Sequence, residues 1–139
     1  MKHAVLDTNV VVAALRSQLG ASYRVLRLAG EGRFRVHLSV ALVLEYESAL
    51  KRHHEEIGLT ARQIDDVLDY LCQVGVHEKV HFLWRPALKD PGDDMVLELA
   101  VASGATIVTF NKADFGAAPR FGANVQSPQE FLKNLKEAK

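Results

Sequence analysis

Ala4-Val5-Leu6-Asp7-Thr8-Asn9-Val10-Val11-Val12 sets one carboxylate among β-branched and aliphatic neighbours, a poor setting for an ordinary solvated acid. The short apolar run over residues 3–6 predicts a buried strand, and Asp7-Thr8-Asn9 a strand-to-helix turn. In an open parallel sheet, ligands bind outside the carboxyl ends of the strands. An acid at that end stands where chemistry takes place, and three later acidic segments are spaced to join it there.

Working outward, strands and helices alternate. Helical segments are expected through residues 12–16 and around 22–30. Residues 34–38 alternate as a second strand, and Ser39 is an N-cap for a helix over 40 to about 53. Thr60 and Gln63 have capping-box spacing. The helix they open carries Ile64, Val67, Leu68, Leu71 and Cys72 on one face and stops at Gly75. Residues 76–83 read as a strand and 85–92 as a loop. Asp93 or Asp94 then opens a helix that runs to Ser103, with Gly104 as its stop. Residues 105–109 read as a buried strand, Val125 as part of a short last one, and Ser127-Pro128-Gln129-Glu130 as the start of the final helix. With no linker, repeat or low-complexity stretch, residues 1–139 are expected to form one domain. The alternation predicts a three-layer α/β/α sandwich with a central, mostly parallel sheet.

Bulk properties narrow the class. Of 139 residues, 48% are apolar and 24% charged, which is ordinary globular composition, and the formal net charge is zero. Nothing global therefore points to a polyanionic partner. Arg16, Arg24, Arg27, Arg33, Arg35, Lys51 and Arg52 in the first half leave room for a local basic surface, although solvated helix faces account for most of them. Cys72 is the single cysteine, which excludes an internal disulfide and fits a reducing compartment. Its place on an apolar stripe predicts buried filler. No apolar run reaches membrane-spanning length and no signal peptide precedes the first strand, so a cytoplasmic protein is expected.

Asp7 has candidate companions. Glu45 lies in the apolar first half of a helix, within Leu42-Val43-Leu44-Glu45-Tyr46. Asp90, Asp93 and Asp94 crowd the turn before another helix, and Asp114 follows the strand that ends at Thr109. Taken singly, Asp93 and Asp94 serve equally well as helix caps, Glu45 as a half-exposed helix residue and Asp114 as a turn residue. Taken together, carboxylates from four segments repel one another and need compensating charge. Hard divalent cations with oxygen ligands, Mg²⁺ or Mn²⁺, are the natural compensation, and one or two such ions suit phosphodiester hydrolysis.

The combination resembles the PIN-domain family of metal-dependent ribonucleases, in particular the toxin (VapC-like) components of toxin–antitoxin pairs. Val5-Leu6-Asp7-Thr8-Asn9-Val10, Ser39 with Leu44-Glu45, Asp90-Pro91-Gly92-Asp93-Asp94 ahead of Ala100, and Ile107-Val108-Thr109-Phe110-Asn111 through Asp114-Phe115 carry the likeness over nearly the whole chain. The resemblance implies that Asp7, Glu45, Asp93 and Asp114 hold the metal and serve catalysis. Thr8, Asn9, Asp90, Asp94, Thr109 and Asn111 would support them. Asp93 is preferred to Asp94 because it stands seven residues before Ala100. Asn111 stands where some relatives carry a carboxylate, which bears on a second ion more than on the first. The resemblance also implies an RNA substrate, a cognate antitoxin and a homodimer, with the helices over 41–53 and 61–74 as partner surfaces.

Two other readings compete. One is a non-catalytic RNA- or protein-binding module on the same fold. The other is a zinc metalloprotease, since His77-Glu78-Lys79-Val80-His81 matches H-E-x-x-H, with Glu98 downstream as a third ligand. That motif needs a helix to bring both histidines to one face. Extending the preceding helix would bury Gly75, Glu78 and Lys79, whereas a strand sets the two histidines about 13 Å apart, too far to share one zinc.

Overall fold

The computed structural model describes residues 1–79 and 91–137. Along the chain run β1 (His3–Leu6), α1 (Thr8–Arg16), α2 (Ala21–Gly30), β2 (Arg35–Leu38), α3 (Val40–Arg52), α4 (His54–Ile57), α5 (Ala61–Val74), β3 (Val76–His77), α6 (Pro91–Ser103), β4 (Thr106–Val108), β5 (Val125–Gln126) and α7 (Pro128–Glu137). Two 3-10 turns, Lys112–Phe115 and Ala118–Phe121, fill the connection from β4 to β5. The described strands form one sheet in the order β3-β2-β1-β4-β5, and every pairing is parallel.

The strand order explains the layers. The chain moves one way from β1 to β2 to β3, then crosses back over β1 to β4. Right-handed crossovers therefore place α1, α2, α3 and α5 on one face and α6 on the other. α6 packs against β1, β2 and β4, while α7 returns to meet α2. β1 and β2 are buried at three of their four positions, as expected for strands covered on both sides. The result is the three-layer sandwich that the alternation predicts.

Caps decide where the helices begin. Ser39 Oγ accepts the Leu42 N–H at 3.2 Å, and Thr60 and Gln63 exchange both capping-box bonds. Ser127 and Glu130 do the same at the start of α7. α1 starts four residues earlier than the apolar run suggests, because Asp7 itself is the N-cap and accepts the Thr8 N–H. α6 likewise opens at Pro91, which needs no N–H partner in the first turn, so Asp93 and Asp94 fall within that turn rather than opening the helix. The short helix α4 carries no apolar periodicity and is not anticipated by the sequence pattern. Cys72 is half-buried rather than buried. Of the strand expected over 76–83, the described residues show Val76–His77. Its remainder beyond Lys79, most of the loop expected over 85–92, Asp90 and His81 lie outside the described residues.

One polar chain crosses the sheet on the β2 side. His37, 4% exposed, lies between His3 and Glu78: His3 Nδ1 is 2.8 Å from His37 Nε2, and His37 Nδ1 is 3.0 Å from Glu78 Oε1. A neutral His37 satisfies both, donating from Nδ1 to the carboxylate and accepting from His3 at Nε2. Burial pushes the His37 pKa down, the hydrogen bond to Glu78 opposes this, and the charge of His3 lowers it further. The unfolded chain then binds a proton that the folded chain resists. Stability is full above the ordinary histidine pKa of about 6.5 and falls as pH drops below it. His37→Gln is expected to flatten this acid-side loss in urea titrations run between pH 7 and pH 5; an unchanged slope would remove His37 as its source.

Candidate active site

Asp7 is built into the end of the sheet. Its backbone N–H donates to the Val108 carbonyl at 2.9 Å, continuing the β1–β4 ladder past Leu6. Oδ1 accepts the Thr8 N–H at 2.8 Å, and Oδ2 accepts the Thr109 hydroxyl at 2.8 Å. Thr109 is fully buried, and its oxygen in turn accepts the Asn111 N–H at 3.0 Å and a long contact from Asn9 Nδ2 at 3.5 Å. The Phe110 N–H reaches Asn9 Oδ1 at 3.4 Å. These bonds fix the plane of the Asp7 carboxylate and tie the start of α1 to the end of β4.

Beneath the acid lies Tyr46, fully buried, whose hydroxyl donates to the Leu6 carbonyl. Burial, with the charge of Asp7 added, holds its hydroxyl pKa well above the usual phenol range. Tyr46 is therefore a neutral donor that braces the last residue of β1. The sequence carried a signal for it, since a tyrosine on the inward stripe of α3 has an O–H that needs a buried acceptor.

A cleft of about 400 Å³ opens above Asp7. Thr8, Asn9, Asp93, Asn111 and Asp114 line it together with Asp7, and Val12, Arg16, Ala49, Arg52 and His53 complete its wall. Three of the four acids named as metal ligands thus come to one cleft, from β1, the first turn of α6 and the 3-10 turn after β4. The N-termini of α1 and α6 lie against these acids, and their helix dipoles oppose part of the mutual repulsion. Glu45 is half-buried and not part of the lining, although it precedes Ala49 and Arg52 by one and two turns on the same side of α3. Asp94 is 2% exposed and also outside the lining. No local motif marks Arg16, Arg52 and His53 as site residues, because the packing of helix faces brings them to the cleft.

The donor set has a definite chemical character. Every acid or amide at the floor offers oxygen, which suits hard cations. Among the described residues, no three His, Cys, Asp or Glu side chains stand close enough to enclose an ion. Mg²⁺ does not require such a cage, because it keeps several waters and binds through one or two carboxylates. The cleft therefore fits Mg²⁺ or Mn²⁺. Zinc fits poorly at His77-Glu78. β3 pairs with β2 rather than extending α5, His77 Nε2 lies 2.9 Å from the Cys72 carbonyl, and Glu78 is held by His37.

Comparison with known proteins agrees with this architecture. The chain matches the PIN domain over residues 3–113. Among solved structures, a chain in the crystal structure of VapBC2 from Rickettsia felis bound to a DNA fragment from their promoter superposes with a TM-score of 0.64. The two are 17% identical, and the match covers 90% of this chain and 98% of that one. No curated protein sequence matches significantly. No described helix is long and apolar enough to cross a membrane. With its parallel sheet, Asp7 at the end of β1 capping α1, and a family match over most of its length, the chain belongs to the PIN-domain family.

Proposed function

We propose that this PIN domain is a Mg²⁺- or Mn²⁺-dependent endoribonuclease that acts in the cytoplasm. The observation that carries this is the meeting of Asp7, Asp93 and Asp114 in one cleft from three separate segments. Asp7, Asp93 and Asp114, with Glu45 from α3, would hold one or two ions. When bound, such ions activate a water and offset charge on the leaving oxygen of a phosphodiester. Thr109 and the Thr8 N–H keep the Asp7 carboxylate oriented, Asn111 sits at the rim as a neutral ligand or hydrogen-bond partner, and Tyr46 keeps β1 in place beneath it. Asp94 and Asp90 serve as supporting acids in this reading.

The family's toxin branch, and the likeness in fold to a chain of the VapBC2 assembly, support a toxin role restrained by a protein antitoxin. Val40 and Leu44, one turn apart on α3 and 77% and 57% exposed, offer apolar surface for that partner or for a second copy of the chain. The test is cleavage of a panel of structured RNAs with and without Mn²⁺. Wild type is expected to cut only with metal, and Asp93→Asn is expected to lose most of that activity. Metal-dependent cleavage surviving in the Asp7→Asn, Asp93→Asn double variant sinks the mechanism. The lack of a three-ligand cluster among the described residues gives the non-catalytic binding module its one support. Absence of any Mn²⁺-induced thermal shift in the wild type would favour that module.

A further inference from the structure

The wall of the cleft opposite the acids is cationic, and one carboxylate holds part of it. Arg16, at the end of α1, donates to Glu56 Oε2 at 2.9 Å, and His53 Nδ1 lies 3.4 Å from Glu56 Oε1. Arg52, beside them, is exposed and has no ion-pair partner among the described residues. A second, smaller cavity shares Arg52 and His53 with the first and continues over α4. The local fold explains Glu56. His53 ends α3, α4 turns the chain back against the end of α1, and Gly58 closes α4 in the left-handed region at φ 78°. This turn sets Glu56 between Arg16 at the end of α1 and His53 at the end of α3.

We infer that Arg16, Arg52 and His53 form a backbone-phosphate site for single-stranded RNA entering the cleft, and that Glu56 stands in for the phosphate until RNA arrives. This rests on the nuclease reading of the same cleft. The Arg16–Glu56 pair is about half exposed on both sides, with side chains 48% and 61% accessible. Exposed pairs of this kind are held weakly and are screened by salt. A phosphodiester offers the guanidinium the same two-oxygen geometry as a carboxylate, so exchanging one for the other costs little. Along α1, Arg16 lies about 12 Å from Thr8, so Arg16 meets phosphates flanking the one at the acids. Glu56 pairs with Arg16 and leaves Arg52 without an ion-pair partner among the described residues, so this wall keeps positive charge while Asp7, Asp93 and Asp114 make the floor acidic.

The experiment is fluorescence anisotropy with a short labelled oligoribonucleotide of mixed sequence, on the full chain in EDTA, so that binding is read without turnover. Glu56→Gln is expected to tighten binding about two- to five-fold at low salt, with the gain fading as salt rises. Arg16→Ala with Arg52→Ala is expected to weaken binding about ten-fold and to flatten the salt dependence by about 0.7 for each phosphate that is no longer neutralised. In an Arg16→Ala background the Glu56→Gln gain should shrink to near nothing. A gain that persists there undiminished means that Glu56 acts only as a distant negative charge, and it overturns the proposal. So does unchanged affinity in the double arginine variant. Cleavage in Mn²⁺ is scored separately: binding effects as stated without any metal-dependent cleavage would overturn the nuclease reading and leave the phosphate site standing.

Discussion

Asp7→Asn is expected to cut Mn²⁺-dependent RNA cleavage by more than about 100-fold while the chain still unfolds cooperatively on heating. The magnitude follows from position, since loss of even an outer partner of a metal ligand costs about 10- to 100-fold. Asparagine keeps the shape and the Thr8 N–H acceptor at Oδ1, and its amide nitrogen can donate to the Thr109 oxygen that formerly donated to Oδ2. The cap and the link to β4 therefore persist, and what disappears is the charge that an incoming cation needs. Thr109→Val provides the graded companion. It removes the buried hydroxyl that orients Asp7, and activity should fall by about 10- to 100-fold. Manganese titrations of both variants separate a loss of affinity from a loss of turnover. If Asp7→Asn cleaves within a few-fold of wild type, the carboxylate at the end of β1 is not the metal ligand.

Phe131→Ala is expected to be the most damaging single change to stability. Phe131 is 1% exposed on α7 and meets Phe34 edge-on, with ring centroids 4.8 Å apart. Truncating a buried phenylalanine costs about 3–5 kcal/mol, and an aromatic pair of this geometry adds about 0.5–1.5 kcal/mol. A domain of this size has roughly 5–15 kcal/mol in total, so a large part of its stability depends on this pair. Because α7 covers α2 and β5 rather than the acids, the loss should appear as a lower urea midpoint while the residual folded protein still cleaves RNA. Phe131→Leu should recover more than half of the midpoint shift. A midpoint for Phe131→Ala indistinguishable from wild type would mean that the last helix adds little to the core.

The sequence made the central strands legible because β1, β2 and β4 are short apolar runs bounded by polar turns, and burial on both faces leaves such runs little choice. Helices with paired caps, at Thr60 and Ser127, were legible at their first residue for the same local reason. Helix starts were misplaced where a residue with another apparent role did the capping. Asp7 reads as a site acid and is also the cap of α1, while Pro91 reads as loop and is the first residue of α6. β3 was less legible, since its neighbours are set by β2 and not by its own pattern. In the cleft, Asp7, Asp93, Asn111 and Asp114 could be named because each follows a strand or lies in the first turn of a helix at the same sheet edge. Arg16, Arg52 and His53 could not, since only the packing of α1 against α3 and the fold-back of α4 bring them there. Glu45 shows the reverse: its helix position is right, but its side chain is not among those lining the cleft.

The bond between Asp7 and Thr109 spans 102 residues of chain. β1 is the first strand of this domain to leave a ribosome, yet β4 beside it, which Thr109 follows, emerges only after most of the domain has been made, and Asp93 and Asp114 arrive late as well. Early in synthesis, Asp7 has a cap to fill but no neighbouring β4 to hold its second oxygen. Pairings this distant in sequence form late and slowly. A nascent chain is therefore expected to stay inert towards the message it is being read from, and hydrolytic competence is expected to appear only after β4 and the turn carrying Asp114 have emerged and paired. The wide separation between the first acid and its hydroxyl partner is expected to set when the site assembles, and a circular permutant opened before α6, with the end of α7 linked to β1, is expected to bring that moment forward.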